Sequence, residues 1–203
     1  MFRGGLLFSI GFGGTWLPAL GTPAVILVSA VRLVRRAPWR RVLIEGLLAV
    51  YALFAVDLAL LPLVLEPTTR DWYREANATY WARSVNLVPF RTILAQLAPH
   101  APDTALRQII GNLALLVPLG VLAPAAWARL RGLRSFLIAA LSVACGLEAL
   151  QLIERLTFVG WRSIDIDDVL LNTAGALAGF ALWSMVARVV RRVQVGIEDT
   201  SAA

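Results

Sequence analysis

Five apolar stretches, each close to the roughly 20 helical residues needed to cross a hydrocarbon core, decide what this chain folds into. They run over 11–34, 42–65, 106–127, 135–156 and 169–190. The first carries Pro18 and Pro23, the third Pro118 and Pro124. Soluble domains carry about 25% charged residues; this one carries 16%, with 59% hydrophobic residues and a mean hydropathy of +0.72. The expected fold is an all-α membrane protein of about five transmembrane helices in one bundle, with a long extracytoplasmic connection between helices 2 and 3.

Arginine placement supplies an orientation. Arg32, Arg35, Arg36, Arg40 and Arg41 crowd the first connection, Arg129, Arg131 and Arg134 the third, and Arg188, Arg191 and Arg192 the tail. With five spans these regions share one side, which the excess of basic residues makes cytoplasmic. The N-terminus is then outside and the C-terminus inside the cell. Residues 1–41 hold the first helix and a basic cytoplasmic connection, 42–192 the bundle, and 193–203 a disordered tail. The start, Arg3 followed by Leu6-Leu7-Phe8, has some signal-peptide character, with Val28-Ser29-Ala30 as a cleavage site, but its apolar run is longer than such signals use.

Several function classes fall away. The net charge is +6, yet the arginines sit at the ends of apolar runs as headgroup signals do, so nucleic acid is not an expected partner. One His and Cys145 alone exclude a His/Cys metal cluster or an internal disulfide, and Cys145 reads as an inert buried thiol. No cofactor is expected. In the long connection, the mixed-charge aromatic segment 66–82 suits an interfacial helix or loop. Asn77-Ala78-Thr79 has the form of a glycosylation sequon. Asn86-Leu87-Val88-Pro89-Phe90-Arg91 reads as a re-entrant or interfacial turn, because Pro89 pushes Val88 toward extended backbone.

Ionisable groups inside the spans carry the functional signal, since each costs roughly 2.5–3.5 kcal/mol at bilayer depth unless partnered. Glu148 and Gln151 share a face of the fourth helix, while Glu154 and Arg155 read as a solvated rim. Asp165, Asp167 and Asp168 open the fifth helix, where capping and dipole stabilisation account for Asp165 and Asp167 as readily as a ligand does. Asp168 continues into a stripe with Asn172, Gly175 and Gly179, for which helix packing is the plainer reading of the glycines. Asn112 and Asp57 fall in the same outer half, with Arg91, Arg107 and Arg162 as candidate counter-charges. Glu45 pairs most simply with Arg41. These groups converge on an outward-facing polar site.

The turn Asn86-Leu87-Val88-Pro89-Phe90, the run from Gly111-Asn112 through Pro118-Leu119-Gly120, Glu148-x-x-Gln151, and Arg162-x-x-Asp165-x-x-Asp168-Val169 with Asn172-Thr173-x-Gly175 together resemble the VanZ-like family of bacterial membrane proteins, named for a teicoplanin-resistance protein. The likeness covers about 86–180. It implies an integral membrane protein linked to glycopeptide tolerance and brings no mechanism. Three functions fit the residues. In the first, the site binds or modulates a lipid-linked or peptidoglycan-related envelope molecule, using Asn86, Arg91, Arg107, Asn112, Gln151, Arg162, Asp165 and Asn172 beside Glu148 and Asp168. In the second, Glu148 or Asp168 acts as general acid or base, or oxygen ligands hold Mg²⁺ or Ca²⁺. The third is a small proton-coupled transporter using Glu148 and Asp57, which five spans without a repeat weaken.

Overall fold

A computed structural model describes residues 16–61, 63, 66–80, 85–99, 103–159 and 162–201. The signal-like start at Arg3 and Leu6–Phe8 lies outside the described residues. Eight α-helices follow in order: α1 (Trp16–Val34), α2 (Trp39–Leu60), α3 (Pro67–Tyr80), α4 (Arg91–Gln96), α5 (Asp103–Leu115), α6 (Val117–Ala126), α7 (Leu133–Leu156) and α8 (Ile166–Ser201). Among the described residues five spans are long and apolar enough to cross a membrane: Leu17–Val34, Trp39–Leu60, Thr104–Ala126, Leu133–Leu156 and Ile166–Gln194. The chain is an all-α membrane protein, as its hydropathy requires.

The third span is two helices in line. Pro118 has no N–H to give to the ladder, so the run breaks at Leu116, and α6 restarts with proline in its first turn. Tyr51 Oη, from α2, donates across the break to the Leu115 carbonyl. α1 ends at Val34, and Arg36 just past it adopts left-handed backbone (φ 59°) while Ala37 N–H reaches back to the Arg32 carbonyl. Pro38 follows. The long connection contains a helix, α3, where a helix or loop was expected. Past Arg192, α8 runs on to Ser201, beyond the point where order was expected to end; Gly196 alone weakens a helix there without stopping it.

Lipid offers no hydrophobic force to press helices together, so close packing of small residues has to do it. α8 is the hub, lying on α5, α6 and α7, while α2 packs on α6 and α7 and α1 chiefly on α2. A Cβ on Gly175 would stand 1.8 Å from the Leu113 carbonyl oxygen, one on Gly179 2.1 Å from that of Val117, and one on Gly120 2.1 Å from that of Ala176. Three glycines thus let α8 meet α5 and α6 backbone to backbone. Around this contact the core is alanine-rich (Ala123, Ala140, Ala144, Ala176), closed by Leu116 and by Phe136 stacked on Phe180 at 4.6 Å. Cys145 lies on the outward face of α7 rather than in this core, because α7 turns Ala144 and Leu147 inward.

Candidate functional site

One end of the bundle collects the start of α1, the end of α2, the end of α7, the start of α8 and the connecting helix α4. Each helix end leaves backbone groups without an intrahelical partner, and near lipid those groups need protein partners. Side chains from other helices supply them. Asp57, 2% exposed, accepts the Leu17 N–H at 3.1 Å and so caps α1. Gln151 Nε2 donates to the Ala59 carbonyl at 3.0 Å and Arg162 to the Leu58 carbonyl at 2.7 Å, closing the last turn of α2. Arg70 donates to the Thr157 carbonyl just past α7. Among these groups the expected counter-charge is therefore replaced: Asp57 is matched by a helix N-terminus and not by Arg91, Arg107 or Arg162. A carboxylate beside an N-terminal N–H and its dipole is stabilised without a full cation.

Asp167, fully buried, performs the largest such task. Its carboxylate accepts from the Phe90, Thr92 and Ile93 N–H groups, the last two at 2.8 and 3.1 Å. It caps α4, a helix some 75 residues away in sequence, rather than its own. Phe90, held in left-handed backbone (φ 65°), points its N–H into this grip. Asp165 caps its own helix by accepting the Asp167 N–H at 2.9 Å. It also accepts from Asn86 Nδ2 at 2.8 Å, across a short parallel pairing of β1 (Val85–Asn86) with β2 (Ile164–Asp165). Asn86 further donates to Thr92 Oγ1 and turns the chain into Pro89 by accepting the Val88 N–H. The Asp165 N–H in turn goes to Glu148 Oε2 at 3.0 Å. Asn86, Asp165, Asp167 and Glu148 form one buried lattice that fixes the α4 loop onto the start of α8.

Other polar groups have capacity left over. Asn112 Nδ2 donates to Asp168 Oδ1. One turn along α8, Asn172 is 3% exposed and its Oδ1 has no hydrogen-bond partner, nor has Thr173 Oγ1 beside it. Arg162 is exposed, and its charge acts on Glu148, Glu154 and Asp168 together. Among the described residues no three acidic, His or Cys side chains adopt a metal-holding geometry. Arg91 and Arg107 are exposed and make no ion pair among the described residues. Along α8 the unsatisfied atoms are the Asn172 amide oxygen and the Thr173 hydroxyl, and they suit a ligand group that carries N–H or O–H donors.

The expectation for the end of α7 changes as well. Glu154 and Arg155 are buried rather than a solvated rim, at 8% and 4% exposure. The inward face of α7 continues from Glu148 and Gln151 through Arg155, and the following connection folds over it, with Arg155 Nη1 donating to the Arg162 carbonyl at 3.0 Å. The i, i+3, i+7 spacing of Glu148, Gln151 and Arg155 carried that signal. Arg70, by contrast, had no sequence signal, because it is defined by what lies across from it. Glu45 pairs with Arg41 as expected, at 2.9 Å, and Arg32 of α1 joins on its other oxygen.

Residues 48–188 match a family model described as VanZ/LLP1, a longer stretch than the motifs cover, taking in most of α2. No curated protein and no solved structure matches the chain.

Proposed function

The chain belongs to the VanZ/LLP1 family, and we propose that its polar end binds the headgroup of a cell-envelope component at the outer surface of a bacterial inner membrane. The reading rests on one observation above the others. Asn172 keeps a buried carbonyl oxygen without a partner, directly along α8 from the Asp168–Asn112 pair. Leaving such an acceptor unmade costs about 1–3 kcal/mol, and a ligand N–H or O–H arriving there recovers it. Asp168 and Glu148 extend the acceptor surface, while Arg162 at the mouth meets an anionic group on the same ligand. A lipid-linked sugar or peptidoglycan-related moiety has both kinds of group. The Asn86–Asp165–Asp167 lattice holds the rim in shape. Binding such a component is how the chain would alter glycopeptide tolerance.

The test uses a strain in which deleting the gene alters glycopeptide tolerance. Asp168→Asn and Asn172→Ala, each at wild-type protein levels in the membrane, are expected to reproduce the deletion. Unchanged tolerance in both removes the polar site from the function. A second reading, acid–base catalysis, draws on the electrostatic coupling of Glu148 and Asp168. It requires covalent turnover of the bound component, which mass spectrometry of envelope lipids from wild-type and Glu148→Gln cells would detect.

A further inference from the structure

The opposite, arginine-rich end of the molecule holds a second feature that the polar site does not explain. There α1 and α2 border a laterally open cavity of about 240 Å³. Val28, Ser29, Gly46 and Ala49 line it, and Arg32 and Glu45 close its end. The helices nearly touch at Gly46, where a Cβ would come within 3.3 Å of Ser29 Oγ. The walls are short and mostly apolar, with the Ser29 hydroxyl beside Gly46, so the cavity offers chiefly apolar contact to a chain.

Its mouth is strongly and specifically charged. Glu45 accepts from Arg32 and from Arg41, so one carboxylate stands against two guanidiniums. Arg32 is a little over one-third exposed despite this pairing, and Arg35, Arg36 and Arg40 stand exposed in the turn beside it. None of those three makes an ion pair among the described residues. Arg36 turns the chain in left-handed backbone, and at the start of α2 the Arg40 guanidinium lies 5.5 Å from the Trp39 ring centre. An uncompensated guanidinium cluster over an apolar slot, at the depth where phosphates lie, matches the two halves of one kind of molecule.

We propose that the α1–α2 cleft is a binding site for an anionic phospholipid, its phosphate on Arg32 and the Arg35–Arg40 turn and an acyl chain in the slot lined by Val28, Gly46 and Ala49. The lipid fills the space that α1 and α2 leave between them and ties α1 to the bundle from the arginine-rich side. Guanidinium is the suitable cation, since its planar fork engages a phosphate with two N–H groups at once.

Native mass spectrometry of the full chain, released from micelles containing equal phosphatidylglycerol and phosphatidylcholine, tests it. The wild type is expected to retain phosphatidylglycerol on the order of tenfold over phosphatidylcholine, as one or two arginine–headgroup contacts give. Arg32→Gln is expected to bring the ratio close to one. Ala49→Leu, which fills the slot and leaves every charge in place, is expected to lower retention of both lipids. Arg191→Gln with Arg192→Gln removes charge from the end of α8 and is expected to leave the ratio unchanged. Inorganic phosphate is expected not to displace the lipid. Equal retention of both lipids by the wild type, full retention by Ala49→Leu, or an equal loss in the α8 control would each overturn the proposal in favour of a diffuse basic belt.

Discussion

Asp167 and Asp168 are neighbours with opposite duties. Asp167 is enclosed and spends its carboxylate on three backbone N–H groups of the α4 loop; Asp168 makes a single side-chain bond and keeps an oxygen over. Removing a buried, fully engaged charge strands its partners, at about 3–5 kcal/mol. Asp167→Ala is therefore expected to destabilise the chain by about 3 kcal/mol in denaturant titrations in mixed micelles, with faster hydrogen exchange at residues 90–93. Asp168→Asn, which keeps the shape and an acceptor, is expected to shift stability by less than about 1 kcal/mol. A large loss of stability in Asp168→Asn would make it structural and take it out of the site. The sequence placed all three aspartates at the start of α8 but left their roles open, because a cap on one's own helix and a cap on a distant loop look alike in one dimension.

At the scale of elements, two local devices follow from the backbone. α8 depends on the absence of side chains where it meets α5 and α6, so Gly175→Ala is expected to part the helices at a cost of about 1–3 kcal/mol or more. Gly146, whose Cβ would meet nothing within 4 Å, is the internal control: Gly146→Ala is expected to be neutral or to stabilise α7 by up to about 1 kcal/mol. α3 begins at Pro67 with Glu66 ahead of it, accepting from the backbone and hydroxyl of both Thr68 and Thr69. Those donors hold the Glu66 carboxyl at about 2, below its ordinary 4.5. A depressed value stabilises the folded helix above the ordinary value, and the effect is lost as pH falls from 4.5 towards 2. Hydrogen exchange at Thr68 and Thr69 is expected to accelerate over that window, and Glu66→Gln to abolish the dependence.

At the scale of the whole molecule, the bundle is two-ended. Helix caps made from acids and amides gather at one end, and the Arg32–Arg41 cluster stands at the other. The orientation proposed for them predicts a labelling pattern. In a Cys145→Ala background, Ser163→Cys is expected to react with an impermeant thiol reagent in intact cells, and Ala128→Cys only after permeabilisation. The reverse pattern would put the polar end in the cytoplasm and remove an outer envelope component as its ligand.

Hydropathy by itself determined the five spans, their helical character and the end of the bundle where the polar residues fall, because lipid leaves a 20-residue apolar run no other stable structure. Short motifs determined the family. The tertiary structure alone decided which polar residue does what. Asp57 was recognisable as an acid needing a partner, but its partner is a backbone N–H on α1. Gln151 and Arg162 were recognisable as polar groups at one end, but they spend themselves on the carbonyls of α2. Asn172 stands out only once its neighbours are seen to offer it nothing. Burial is set along a chain by composition, whereas hydrogen-bond satisfaction depends on the group that arrives from another helix, and that is fixed only when the helices pack.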